Sequence, residues 1–443
     1  MRKGTSLIMG LVMAVGSMQA ADHVMQATHH VERGEAPAEI SLTLEQAQNY
    51  AVQQNRSLRN ANLAVQEAYA QRWQTIASML PQADATGSYT NMCNYQLNMM
   101  GATIAMPPYG EFDVKSSAGV SAQGIIGALM QTQAIALKKV QYEQNELELR
   151  GNVYESYASV LTLESIEGLL DSSLVNLQRL EQMTQRSVDV GMAEQTTADL
   201  IHVRVNNLQN NIEAQKRNIT LARASLKVLL DVPVETKLVL TDGLENLLSA
   251  ETVLNLLGEN FDIRRNQNYR LLEKNTEIAR LGVHNAAWAY GPTVAAYHQY
   301  SSKKYYSDAM TLNMTPPNTV GVSVSMPLWS SGKRAAGVVE KKIAYEEARN
   351  TLEETKDQLY IQNEQLRSNL QTAYATYLNE KDNLSVTKRV FNSTTQKFTY
   401  GTTSNLDLTN ASNDLISAQT SYVQAVLSLV NAQVALTTFL NNK

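Results

Sequence analysis

GTTSNLDLTNASNDLISAQTSYVQAVLSLVNAQVALTTFLN (401–441) and GMAEQTTADLIHVRVNNLQNNIEAQKRNITLARASLKVLLD (191–231) read as one structural unit written twice, 210 positions apart and without a gap. Each opens on a glycine, Gly191 or Gly401, and each then runs in sevens. In the later copy Leu408, Leu415, Tyr422, Leu429 and Leu436 form one seam, and Ala411, Ala418, Ala425, Ala432 and Phe439 a second. In the earlier copy Ala198, Val205, Ile212, Ile219 and Leu226 form one seam, and Ile201, Leu208, Gln215, Ala222 and Leu229 the other. A sustained seven-residue period means long helices in left-handed coiled-coil packing. The alanine-rich seam lets one neighbour come very close. A duplicated chain of such helices is a scaffold architecture rather than that of an active site.

The repeat extends outward from this pair. Upstream, Pro81 and Tyr89 match Pro292 and Tyr300. Polar stretches with a double proline follow, Pro107-Pro108 and Pro316-Pro317. Each leads to a short alternating run and then a very long charged helix. The residues between Gly127 and Val190 and those from Lys333 to Tyr400 contain no proline. At about 1.5 Å per residue each such helix is on the order of 100 Å long. The shorter helices, expected at 44–80, 195–230, 265–290 and 405–440, pair end to end to match the long ones. This predicts a rod with a small mixed layer near Val232-Pro233 and the segment to Phe261. The first repeat spans 41–240, with strands at about 82–97 and 113–124 and a hairpin tip near 191. The second spans 241–443, with strands at about 292–304 and 318–328 and a tip near 401.

Arg2 and Lys3, the apolar run from Leu7 to Val15, and small residues near Ala20 predict a secretory signal peptide over 1–21. Residues 22–40 read as a disordered tail. Its His29 and His30 are read as part of that tail rather than as a metal site. The signal peptide's apolar run is too short to span a membrane, and no other approaches about 20 residues. With Cys93 the only cysteine, an internal disulfide is impossible. A net charge of −5 argues against a nucleic-acid partner. His202, His284 and His298 are scattered, and no nucleophile elbow, phosphate loop or zinc pair is present. No enzyme activity, cofactor or metal is expected. The carboxylates alternate with basic residues, as on a solvated coiled-coil face.

The strands say more. Val320, Val322, Val324 and Met326 alternate with Gly321, Ser323 and Ser325, as a strand between lipid and water requires. Tyrosines accompany the strands, and Trp329 stands where the last one ends, as at a membrane interface. Four strands cannot close a barrel. In lipid the open edges need partners, and three chains give twelve strands.

Taken together, the segments Val322–Ala348 (VSVSMPLWSSGKRAAGVVEKKIAYEEA), Leu42–Val65 (LTLEQAQNYAVQQNRSLRNANLAV), Asn268–Lys274 (NYRLLEK), Val190–Val205 and Tyr400–Ala411 strongly resemble the TolC-like outer-membrane efflux channel family. The resemblance covers nearly the whole mature chain. Arg56 replaces the family's usual proline after Asn55. The resemblance implies a mainly α fold with a small β part: a homotrimer in which helical hairpins form an α-barrel across the periplasm and four strands per protomer build a twelve-stranded outer-membrane barrel. It also implies a periplasmic adaptor and an inner-membrane pump as partners. Asp407 and Asn410 fall where members carry acidic rings at the constriction, and Thr403 and Thr197 where some carry charged locking residues. The tips Val190, Gly191, Met192 and Tyr400, Gly401, Thr402 fall where members meet the adaptor. Asp407 also reads as a plain helix cap; the two roles are compatible. The function implied is a passive exit duct for small molecules. A duct for peptide or protein secretion, or a non-conducting trimeric scaffold, are the other readings.

Overall fold

The computed structural model describes residues 39–441 except 94, 100–101, 192–193 and 307–315. The signal peptide, tail residues 22–38 and Met192 lie outside the described residues. The chain folds in the order β1 (Glu39–Leu42), α1 (Leu44–Gln54), α2 (Arg56–Ala77), β2 (Gln82–Thr90), β3 (Gln96–Met99), β4 (Ala102–Ala105), β5 (Tyr109–Ser121), α3 (Ala122–Asp189) and α4 (Gln195–Leu229). There follow β6 (Lys237–Leu240), α5 (Leu244–Leu247), α6 (Ala250–Gly258), α7 (Gln267–Ala287), β7 (Thr293–Tyr305), β8 (Asn318–Ser325), α8 (Lys333–Thr399) and α9 (Asn405–Leu440). The heptad helices α4 and α9 keep their expected spans to within a residue. The long helices α3 and α8 are uninterrupted over 68 and 67 residues.

Five expectations are corrected. The tail does not reach residue 40: Glu39 and Ile40 begin β1, which pairs in parallel with β6, Ile40 opposite Leu238. Two four-residue strands carry too little alternation to be seen in sequence. The helix expected at 44–80 is two helices, broken at Asn55. The first strand stops at Thr90 rather than 97, because Asn91 and Cys93 turn the chain: Cys93 has φ +52° and its N–H donates to Asn91 Oδ1 at 2.9 Å. The β3–β4 hairpin follows. The second strand runs Tyr109–Ser121 rather than 113–124. It begins directly after Pro108 and ends where Ser121 Oγ accepts from Gly124 N and so caps α3. The last strand ends at Ser325, two residues before Pro327, which has no N–H for a ladder.

The chain forms two compact units, each drawing a matching piece from both repeats. One holds Leu63–Lys139 and Leu271–Glu353 and contains the four-stranded sheet β2-β5-β7-β8, antiparallel throughout. The other holds the described residues up to Asn62, Val140–Arg270 and Glu354 onward. Its core is the pair of seams read in sequence. Ala198, Ile201, Val205, Leu208, Ile212, Ile219 and Leu226 are buried along α4. Along α9, Leu408, Leu415, Leu429 and Leu436 are buried, as are Tyr422 and Phe439. Facing them, α8 buries Asn363, Leu370, Tyr377, Leu384 and Phe391, again seven apart. Each fully buried leucine contributes about 1.5–3 kcal/mol. From Leu406 onward α9 is long and apolar enough to cross a membrane, but half of its most apolar window is buried in this unit.

The duplication is visible in hydrogen bonds. Asn55 Oδ1 accepts from Ser57 N and Leu58 N, and its Nδ2 donates to the Leu229 carbonyl. Asn266 Oδ1 accepts from Asn268 N and Tyr269 N, and its Nδ2 donates to the Phe439 carbonyl. Leu229 and Phe439 are equivalent heptad positions. In each repeat one asparagine caps a short helix and ties it to the end of the returning helix. The chain then leaves α4 through Asp231 (φ +54°) and α9 through Asn441 (φ +56°), the same left-handed exit twice.

Candidate functional site: a two-faced sheet and two helical tips

Strand alternation and register fix which side chains share a face of the sheet. Val320, Val322 and Val324 on β8 stand opposite His298, Ala296 and Val294 on β7. Those stand opposite Ser116, Ala118 and Val120 on β5. Farther along the same face lie Val114 and Phe112, then Ala85 and Gly87 on β2. This face is apolar over most of its height and exposed: Val320, Val322 and Val324 are 77%, 72% and 68% accessible. Polar groups enter it at His298, Ser116, Ser302 and Lys304.

The other face is polar. It carries Asp84 and Thr86 on β2, Glu111, Asp113, Lys115 and Ser117 on β5, Tyr297, Gln299, Ser301 and Lys303 on β7, and Ser323 on β8. On β7 Tyr297, Gln299 and Lys303 are half-buried and Ser301 is buried, while their outward neighbours are exposed. A diagonal ladder crosses β7 and β5: Gln299 Nε2 donates to Asp113 Oδ1, Ser301 Oγ to Glu111 Oε1, and Lys303 Nζ lies 3.6 Å from the Tyr109 ring centroid. Near the loop end, Tyr109 and Tyr305 pack with centroids 5.7 Å apart on the polar face, and Tyr89 and Tyr306 pack at 5.9 Å. Among the described residues, β2 and β8 each have a strand on one side only. The sheet separates apolar from polar surface and leaves both edges available for pairing.

Both tips turn at glycine in the left-handed region, φ +76° at Gly191 and +69° at Gly401, where an L side chain is strained. The second is a Schellman turn: Gly401 N donates to Phe398 O and Thr402 N to Lys397 O, with Thr402 Oγ1 donating to the same Lys397 carbonyl. Val190 and Tyr400 are exposed, Tyr400 at 80%. The second tip then starts α9 with a capping box. Ser404 Oγ accepts from Asp407 N at 3.1 Å and donates to Asp407 Oδ2 at 2.6 Å; Ser404 N and Thr403 Oγ1 also donate to Oδ2. These bonds, the Ser404 hydroxyl first, hold the Asp407 pKa below the usual aspartate value. The structure thus brings Thr403 and Asp407 together. Asn410 is exposed one turn on, and Thr197 sits in the first turn of α4, its N–H donating to Glu194 O.

Sequence reading missed Arg204. It lies on α4 between Val203 and Val205, and its guanidinium donates to Thr409 Oγ1 on α9, tying the two returning helices together just behind the tip. Burial lowers its pKa. Nothing local marks it, because its partner is 205 residues away.

Comparison with known proteins agrees with this geometry. Residues 264–442 match the outer membrane efflux protein family. The chain is 26% identical over 118 residues to the outer membrane efflux protein BepC of Brucella suis biovar 1 (strain 1330), a match that spans 27% of this chain and only 26% of that protein. Its fold superposes on the outer membrane protein VceC of Vibrio cholerae with a TM-score of 0.71, at 14% identity, over 90% of this chain and 95% of that one. For the MtrE outer membrane channel of Neisseria gonorrhoeae the TM-score is 0.67, at 16% identity, over 90% and 88%.

Proposed function

We propose, from the outer membrane efflux protein match over residues 264–442 and from the fold, that the chain is a TolC-like outer-membrane channel and serves as the passive exit duct of a tripartite exporter. The two-faced sheet carries the reading. Its apolar exposed face suits lipid, its polar face suits a water-filled lumen, and its two open edges suit pairing of β8 in one protomer with β2 in the next. Three copies then close a twelve-stranded barrel. A non-conducting coiled-coil scaffold has no use for such a sheet. The two glycine tips are the docking points for a periplasmic adaptor, and an inner-membrane pump supplies the energy.

Asp407 is the gate residue of this reading. Three copies around a narrow axis make a ring of negative potential that holds a divalent cation in the closed tip. The capping geometry supports a fixed, ionised carboxylate there: its hydrogen bonds fall on Oδ2 and its pKa is depressed. Thr403 positions the carboxylate, while Asn410 and Thr197 line the same constriction.

Planar-bilayer conductance of the purified mature protein tests both parts. Wild type forms channels, and divalent or trivalent cations on the tip side block them. In Asp407→Asn the block is lost while the trimer survives. A stable monomer, or recovery without detergent from the soluble periplasmic fraction, overturns the duct. Equal block in both proteins overturns the ring and leaves Asp407 as a cap only.

A further inference from the structure

We propose that Gly321 is a slot that holds the ring of Tyr297 flat against the lumen wall and so keeps that ring from narrowing the barrel. The inference rests on the duct reading. Tyr297 and Gly321 are register partners on β7 and β8 and lie on the polar face. A Cβ built on Gly321 falls 2.6 Å from Cζ and Oη and 2.7 Å from Cε1 of Tyr297. Such distances are far inside van der Waals contact, so the ring occupies the volume any side chain at 321 would need. The neighbours at the helix end of this face are smaller: Ser117 on β5, Ala295 on β7, Ser323 on β8 and, beyond Ser117, Gln82 on β2. Tyr297 is the bulkiest group there, and one glycine keeps it on the wall.

Twelve strands spaced about 4.8 Å and tilted about 40° give a backbone radius of roughly 12 Å. Three phenol rings standing off such a wall obstruct a substantial part of its section. Adding a methyl at 321 displaces the far end of a flexible side chain, which turns about χ1 and leaves the wall. Gly110 provides an internal control. Its added Cβ would fall 2.9 Å from Tyr306 Oη, a similar crowding, but Gly110 shares the apolar face with Phe112 and Val114.

The test reads access to the lumen from outside, so the state of the helical tips does not enter. In a Cys93→Ser background, Ser325→Cys places a thiol on the polar face, four residues beyond Gly321 toward the helix end. Cells are treated with thiol reagents of two sizes, a small methanethiosulfonate and a polymer-linked maleimide that the wild-type lumen still admits. Addition of Gly321→Ala abolishes labelling by the polymer and spares the small reagent. Gly321→Ala with Tyr297→Ala restores polymer labelling, and Gly110→Ala leaves it unchanged. Unchanged polymer labelling in Gly321→Ala overturns the inference. So does a raised size limit in Tyr297→Ala alone, which needs no glycine substitution to fold, because a ring already on the wall obstructs nothing. Failure of both reagents in the Ser325→Cys parent overturns the duct itself and is thereby distinguished.

Discussion

Asn266 is the substitution whose cost the structure specifies most closely. Its side chain is 3% exposed and carries two jobs. Oδ1 accepts from Asn268 N at 3.0 Å and Tyr269 N at 3.3 Å and caps α7; Nδ2 donates to the Phe439 carbonyl at 2.9 Å. Asn266→Ala loses a cap worth about 1 kcal/mol. It also leaves a carbonyl unpaired beside buried Phe439, at about 1–3 kcal/mol. The expected loss is about 2–4 kcal/mol. Asn55 makes the same three bonds in the other repeat but is only half-buried, so water replaces its donor and Asn55→Ala costs about 1–2 kcal/mol. For a chain of 443 residues, an unfolding entropy of about 2.1 cal/mol/K per residue converts each kcal/mol into about 1 °C. Thermal loss of helical circular dichroism in detergent then falls by about 2–4 °C for Asn266→Ala and about 1–2 °C for Asn55→Ala. Asn266→Asp keeps the cap oxygen but sets a carboxylate against a carbonyl, and does no better than alanine. A wild-type midpoint for Asn266→Ala, or for Asn266→Asp, refutes the reasoning.

Val322→Lys, on the exposed apolar face, costs about 2–4 kcal/mol in the bilayer and depletes the assembled membrane form, while Ser323→Lys one position along is tolerated; equal behaviour in membrane fractionation contradicts the assignment of faces. The depressed Asp407 pKa means that its carboxylate stabilises the start of α9 above the ordinary aspartate pKa of about 3.9 and that this is lost as pH falls through the lower folded value. Hydrogen exchange at Asp407 and Leu408, corrected for intrinsic rate, therefore quickens on acidification below that range in wild type but not in Asp407→Asn; a pH-independent wild type argues against the cap. Gly191→Glu and Gly401→Glu each force a side chain into left-handed backbone and place a charge on a tip, so both abolish export with trimers intact; normal export by both refutes docking at the tips.

Helix and strand were legible in the sequence because their signals are local periodicities. The seven-residue seams of 191–231 and 401–441 located α4 and α9 to within a residue, since a buried stripe must recur at the helical period whatever it packs against. The Val320–Met326 alternation told the two faces of β8 apart for the same reason. Partners far along the chain leave no such trace. The parallel β1–β6 pair, the tie from Asn266 to Phe439, and the Arg204–Thr409 bond all join residues more than 150 positions apart, and nothing in either member's neighbourhood names the other. The capping role of Asp407 was legible because its partners Ser404 and Thr403 are its near neighbours in the chain. Tertiary structure alone laid Tyr297 over Gly321. A glycine in a strand reads as a weak spot until the register shows which ring needs the room, because space is fixed by what packs across the sheet and not by the order of residues along one strand.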